Sequence, residues 1–258
     1  MHPTLNIATR AARSAGQVIL RSVNHIDTLN ISEKQANDYV TEVDKRAEVE
    51  IINVIRRAYP DHAILAEESG ASGEGDFQWI IDPLDGTTNF LRGIPQFSVS
   101  IAMLHKGKLE LGVVYDPVKD EMFMAYRGNG AQLNDRRIRV TARKTMRGAL
   151  LGTGFPFRPD QDLDRYLKTL KALIPDTAGI RRPGSAALDL AYVAAGRYDA
   201  FWELGLNRWD MAAGALIVRE AGGAVTDIDG TDSFLDSGDL LASNLRLHEI
   251  MLKRLRDA

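Results

Sequence analysis

Two carboxylates, Asp82 and Asp85, follow the apolar run Trp79-Ile80-Ile81 and directly precede Gly86-Thr87. A buried strand is expected to deliver both acids just past its end, with Pro83 stopping the strand and fixing the turn. Gly86 lets backbone approach a ligand closely. Gly86 and Thr87 are then expected to open a short helix whose first N–H groups lack intrahelical partners and suit a phosphate. Carboxylates beside an anion-binding turn would repel that phosphate unless divalent cations lie between them. Oxygen-only ligands favour Mg2+ over zinc, and the absence of cysteine agrees. A pair of Mg2+ ions can orient phosphate, activate a water and stabilise the leaving oxygen.

Each acid also has a plainer reading. Asp82 could form an Asx turn and Asp85 a helix cap. Glu67-Glu68 follows a short apolar run and could be a solvated strand-to-loop junction, most of all at Glu68. Asp210, beside Trp209, could be a first-turn acid favoured by the helix dipole. Thr41 and Asp44 have the spacing of a capping box. Asp44 could instead pair with Thr87 to polarise a water. The five histidines, at 2, 25, 62, 105 and 248, have no ligand spacing. Neither G-x-S-x-G nor G-x-x-x-x-G-K-[ST] occurs, so a serine-hydrolase elbow and a P-loop are unsupported.

Elements of both types must position these groups. Leu5, Ala8, Ala12, Ala15 and Ile19 predict a helix over residues 5–22. The stretch 26–38 reads as polar and irregular. A second helix opens at Thr41 and closes at Tyr59-Pro60. Strands are predicted at 63–66 and 79–81, with an exposed loop at 71–76 between them. Strands at 97–104, 109–115 and 121–126 suggest an antiparallel meander. Further strands fall at 149–153, 198–202 and 240–242. Helices fall at 164–173, 185–195 and 208–221, and a last one starts near Leu245. Gly196 and Gly222-Gly223 supply stop signals. No repeat or linker interrupts the series, so one domain over 1–258 is expected, α+β in class with mainly antiparallel sheet.

With 258 residues, 45% of them hydrophobic, the chain can bury a large core. Its formal net charge of -3 argues against wholesale attraction to nucleic acid or anionic membrane. The absence of cysteine excludes disulfides, thiolate metal sites and catalytic thiols. The start has no secretory pattern and no run of 18 apolar residues occurs, so a cytoplasmic location without membrane association is expected.

The stretch 79–90, WIIDPLDGTTNF, resembles a signature of the inositol monophosphatase family. Residues 209–214, WDMAAG, continuing to REAGG at 219–223, resemble its second signature. The pieces DYVTEVD at 38–44 and ILAEES at 64–69 match in type and order. The start and residues 184–196 are similar to the bacterial SuhB-type branch. The resemblance implies a layered α-β-α-β-α sandwich of the inositol monophosphatase and fructose bisphosphatase type. It implies hydrolysis of inositol monophosphate with Mg2+, inhibition by lithium, and a homodimer. By position, Glu67, Asp82 and the carbonyl of Leu84 would hold the metal that activates water. Asp82, Asp85 and Asp210 would hold a second, with a further, weaker Mg2+ near Glu67. Thr87, with Asp44, would orient the nucleophilic water. Gly86 and Thr87 would hold phosphate through their N–H groups. Asp85, Ala186 and Glu203 would contact the alcohol. Lys34 falls where the family has a mobile loop near the site. Arg208, in a segment that varies around the alcohol pocket, reads as a surface charge.

Two other functions fit the same residues. A related sugar bisphosphate or nucleotide phosphatase would share the metal ligands. SuhB-type proteins are also implicated in transcription antitermination through the elongation machinery. Arg136, Arg137, Arg139, Arg143, Lys144 and Arg147 are the basic stretch that could meet RNA or an acidic partner, and Arg181-Arg182 is a smaller one. A solvated face is the plainer reading of both.

Overall fold

The computed structural model of the chain describes residues 2–28, 31–35, 38–156 and 161–256. Small residues recurring along α1 (Pro3–Ser22) give it a flat, fully buried face of Ala8, Ala11, Ala12 and Ala15. That face lets α2 (Glu42–Ala58) pack closely alongside. Between them, the described parts of 26–38 depart from the irregular expectation. A 3-10 turn spans Val23–Thr28, and β1 (Ile31–Gln35) pairs antiparallel with β2 (Asp38–Thr41). Cross-strand pairing, which composition does not reveal, supplies that order. Lys34 lies on β1, and its side chain is outside the described residues.

The first large sheet begins with β3 (Ala63–Ala66), β4 (Gly70–Ser72) and β5 (Phe77–Asp85). Part of the predicted loop at 71–76 is therefore strand, held by backbone pairing of Ala71 with Leu65. The meander is present as β6 (Ser98–His105), β7 (Lys108–Asp116) and β8 (Glu121–Tyr126), followed by β9 (Ala131–Leu133) and β10 (Arg136–Arg137). The sheet has eight strands in the order β10-β9-β8-β7-β6-β5-β3-β4, antiparallel except where β3 runs parallel to β5. After a short helix, α3 (Thr87–Leu91), the meander returns the chain across the sheet.

The second half builds a five-stranded sheet from β11 (Leu150–Thr153), β12 (Gly179–Arg181), β13 (Ala200–Glu203), β14 (Gly223–Thr226) and β15 (Leu240–Asn244). Its order is β12-β11-β13-β15-β14. Five helices accompany it: α4 (Leu163–Leu173), α5 (Ala186–Ala194), α6 (Arg208–Glu220), α7 (Phe234–Ser237) and α8 (Leu245–Arg256). Helix α5 is buried on every side, which its apolar sequence demands.

Three apolar clusters show how the layers stack. One joins α1 and α2 to the large sheet through Ile51, Trp79 and Val113. A second fills the centre, where α5 and α6 lie between the large sheet and the small one. A third covers the outer face of the small sheet with α4 and α8, through Tyr166, Trp202 and Met251. The order of layers is α-β-α-β-α, as the resemblance implied. Among the described residues no helix is long and apolar enough to cross a membrane.

One buried histidine makes this fold sensitive to acid. His248 on α8 contacts the hydroxyl of Thr226 at 2.8 Å and that of Ser243 at 3.2 Å. Burial lowers its pKa from 6.5 to about 4, so the fold favours the neutral ring. The unfolded chain then binds the extra proton between these values, and stability rises with pH across that window. The contribution is complete above pH 6.5 and is lost as pH falls towards 4. It amounts to about 3 kcal/mol at most. Urea midpoints at pH 7 and pH 5 are expected to converge in His248→Asn relative to the parent; an unchanged difference would remove His248 as the cause.

Candidate active site

Pro83 does not end β5. The strand runs on to Asp85, and its pairing with β6 shifts register between Asp82, opposite Ser100, and Asp85, opposite Ser98. Proline cannot donate to the ladder, so the missing bond is absorbed as a bulge rather than as a strand end. This irregularity directs both carboxylates into a cleft of about 150 Å³ between the two sheets. Glu67, at the end of β3, and Glu203, at the end of β13, enter it as well. The first residues of α3, α5 and α6 also converge there, and their positive dipole ends partly offset the gathered acids.

Of the residues singled out by sequence, Glu67, Asp82, Leu84, Asp85, Gly86, Thr87, Ala186, Glu203 and Asp210 line this cleft. Asp44 lies one hydrogen bond behind it. The hydroxyl of Thr87 sits 2.9 Å from Asp44 Oδ1 and 3.0 Å from the Leu84 carbonyl, with both oxygens as acceptors. Gly86 adopts a left-handed conformation, φ 94°, and caps α3. A Cβ there would stand 3.0 Å from the Gln96 carbonyl and 3.1 Å from that of Gly184, so glycine is required for both space and dihedral.

The alternative readings of the acids turn out to be compatible. Asp44 closes the capping box, accepting the Thr41 N–H at 2.9 Å and its hydroxyl at 2.6 Å, and its other oxygen serves Thr87. Asp82 accepts the Leu84 N–H at 2.9 Å in an Asx turn. Asp85 caps a helix, but one about a hundred residues away. It takes the Ser185 hydroxyl at 2.6 Å and the Ala187 N–H at 2.8 Å at the start of α5. Asp210 accepts the Asn207 N–H at 2.7 Å at the start of α6. Local bonds fix one oxygen of each acid and thereby aim the carboxylate.

Concentrating these acids has an electrostatic cost. Burial, then Glu67, Asp85 and Asp210 in turn, push the Asp82 pKa well above the usual carboxylate range. Glu67 opposes the charged form of Asp82 both through its charge and through a hydrogen-bonding contact. Burial raises Asp85 to about 6 against the pull of its hydrogen bonds. Burial, followed by Asp85 and Glu67, raises Asp210. Asp44 is raised by burial, opposed by the bonds from Thr41 and Thr87.

Among the described residues no group of three or more His, Asp or Glu side chains is drawn together as a finished metal cage. The donor chemistry nevertheless fits a hard cation: four acids, each carrying oxygen only, mutually repelling, at the closed end of one cleft.

Several lining groups escaped the sequence reading. Asn89 donates to the carbonyls of Gln96, Pro183 and Gly184 at 2.7, 2.8 and 3.2 Å, tying α3 to the loop before α5. Asp189, on α5, lines the cleft with 1% exposure. A lone acid within the apolar run 186–194 was the available signal for it. Arg208 does lie at the surface, as expected, bonded to the Leu235 carbonyl and paired with Asp236.

The chain is a layered α+β sandwich with a carboxylate-lined cleft between its two sheets. The chain matches the inositol monophosphatase family over residues 1–258 and belongs to it. It is 58% identical over 262 residues to a Nus factor SuhB of Pseudomonas aeruginosa, covering 99% of this chain and 97% of that one. The extragenic suppressor protein SuhB of Bartonella henselae superposes with a TM-score of 0.96 at 44% identity, covering 100% of both chains. An inositol monophosphatase from Anabaena superposes with a TM-score of 0.86 at 39% identity, covering 99% of this chain and 96% of that one. The fold is therefore that of the inositol monophosphatase sandwich, and the family is one of generally metal-dependent phosphatases, usually using Mg2+.

Proposed function

We propose that this chain is a cytoplasmic, homodimeric phosphatase that hydrolyses inositol monophosphate to inositol and phosphate, with residues 1–258 acting as one domain. The observation that carries the reading is the hydroxyl of Thr87, held between Asp44 and the Leu84 carbonyl at the edge of the acid cluster. Glu67, Asp82 and the Leu84 carbonyl would hold one Mg2+ and Asp82, Asp85 and Asp210 a second, supplying the charge that activates water, binds phosphate and stabilises the leaving oxygen. Lithium is expected to inhibit at the same acids.

The chain's own groups do the positioning. Thr87 donates to an oxygen behind it, so a lone pair of its Oγ1 is free to take a hydrogen bond from the attacking water. Asp44, raised in pKa by burial, fixes that hydroxyl's direction and favours movement of the proton away from the water. The N–H groups of Gly86 and Thr87 would receive phosphate oxygens. Asp85, Ala186 and Glu203 would meet the alcohol. Thr87→Val preserves size and removes the hydroxyl. It is expected to lower kcat for inositol 1-phosphate by about a hundredfold or more with KM little changed. A normal kcat would remove Thr87 and Asp44 from the mechanism.

A second reading rests on the Pseudomonas relative, which is named a Nus factor. Of the basic stretch, Arg136, Arg137, Arg139, Lys144 and Arg147 are exposed, whereas Arg143 is paired with Asp199 at 3.0 Å. Such a face could meet the transcription elongation machinery without phosphatase chemistry. Salt-sensitive capture of that machinery, weakened by replacing these five residues, supports it; capture unaffected by the replacements contradicts it.

A further inference from the structure

Beyond the acids that would hold cations, the cleft contains a carboxylate with no structural explanation. Asp189, on α5, lines the cleft and is only 1% exposed. Its Oδ1 is fully buried and makes no hydrogen bond. The charges that act on it are the acids Glu203 and Asp85 and, in the opposite sense, Arg182, all lining the same cleft. Asp189 is the one charged residue of α5, whose other members are aliphatic apart from Tyr192. A buried carboxylate oxygen without a donor costs free energy that folding alone does not recover. Such a group persists where a ligand brings the missing donor.

We infer that Asp189 is a specificity-determining residue, accepting a hydrogen bond from a hydroxyl of the alcohol part of the substrate. The inference rests on the proposed phosphatase reading and narrows its substrate class. Asp189 and Glu203 act on each other by charge and line the same cleft as Ala186 and Asp85, the other groups proposed to meet the alcohol. Two carboxylates there favour a neutral, hydroxyl-rich alcohol, whose O–H groups donate. An alcohol without hydroxyls gains nothing from them, because it brings no donor to the buried oxygen.

The test compares inositol 1-phosphate with phenyl phosphate, which has the ester but no free hydroxyl. Asp189→Leu removes the acceptor, and Asp189→Asn retains one acceptor without the charge. For inositol 1-phosphate, kcat/KM is expected to fall about tenfold to a hundredfold in Asp189→Leu, mostly through KM, and less in Asp189→Asn. For phenyl phosphate both variants are expected to stay within about twofold of the parent. Equal losses on the two substrates, or no loss on either, would overturn the assignment. If Asp189→Leu fails to fold, the Asp189→Asn comparison decides alone, by the same ratio. A parent protein inactive on both esters with Mg2+ present overturns the phosphatase reading and this inference with it. Activity on both with an unchanged ratio overturns only the role of Asp189.

Discussion

Asp82→Asn is expected to abolish Mg2+-dependent phosphate release, by roughly a thousandfold or more, while making the metal-free protein more stable. Asp82 is the acid that both proposed cations would share. Asparagine keeps the oxygen that accepts the Leu84 N–H, so the turn survives. What disappears is an acid whose charged form is opposed by burial and by Glu67, Asp85 and Asp210. The sign of its pH dependence follows from the raised pKa values. A carboxyl whose folded pKa lies above 3.8 supports the fold at low pH and opposes it as pH rises through the folded value, about 6 for Asp85. The stabilising effect of Asp82→Asn should therefore grow as pH rises above 3.8, where the unfolded chain ionises this group before the folded one does. Thermal unfolding with EDTA reads it directly. Adding Mg2+ should raise the melting temperature of the parent and leave that of the variant unmoved. A variant less stable than the parent without metal, or equally stabilised by Mg2+, contradicts the account of this cluster.

A second large effect is expected far from the acids. Gly112, in the middle of β7, is where the large sheet touches α6 backbone to backbone. A Cβ at this position would stand 2.5 Å from the Ala213 carbonyl oxygen and 3.0 Å from its Cα. Neither neighbour is a movable side-chain tip, so α6 must shift. Gly112→Ala is expected to cost about 3 kcal/mol and lower the melting temperature by roughly 10 °C. Helix α6 also carries Asp210 on its first turn, so kcat should fall along with stability. A melting temperature within a degree or two of the parent would show that the sheet and the helix are less tightly seated than the geometry requires.

Much of this organisation could be read from residue order, and the exceptions share a physical cause. Periodicity exposed α1 and α2 because each buries one stripe against the large sheet, and the meander β6–β8 was legible as apolar runs broken by turns because its strands are buried on both faces, between two layers of helices. Periodicity was silent on β1, β2 and β4, which are defined by backbone pairing, and β4 buries little side chain for a pattern to mark. Pro83 misled for a related reason: its lost hydrogen bond is absorbed by a bulge that exists only in the pairing with β6. In the site, Asp44 and Thr87 carried their roles locally, as a cap and as a turn residue. Asp85 did not, since its partners Ser185 and Ala187 lie about a hundred residues further on. Asp189 was hidden in a helix whose other residues are apolar, and only the path of the cleft distinguishes it.

On the proposed reading, the acids around Asp82 form a Mg2+-dependent phosphatase site for a small polyol phosphate. Its most direct test is the initial rate of phosphate release from inositol 1-phosphate, with Mg2+ and with EDTA, for the parent and Asp82→Asn side by side. The account predicts release by the parent that requires Mg2+ and is lost in the variant. Release that persists in EDTA, or that is equal and negligible for both proteins in Mg2+, would contradict it.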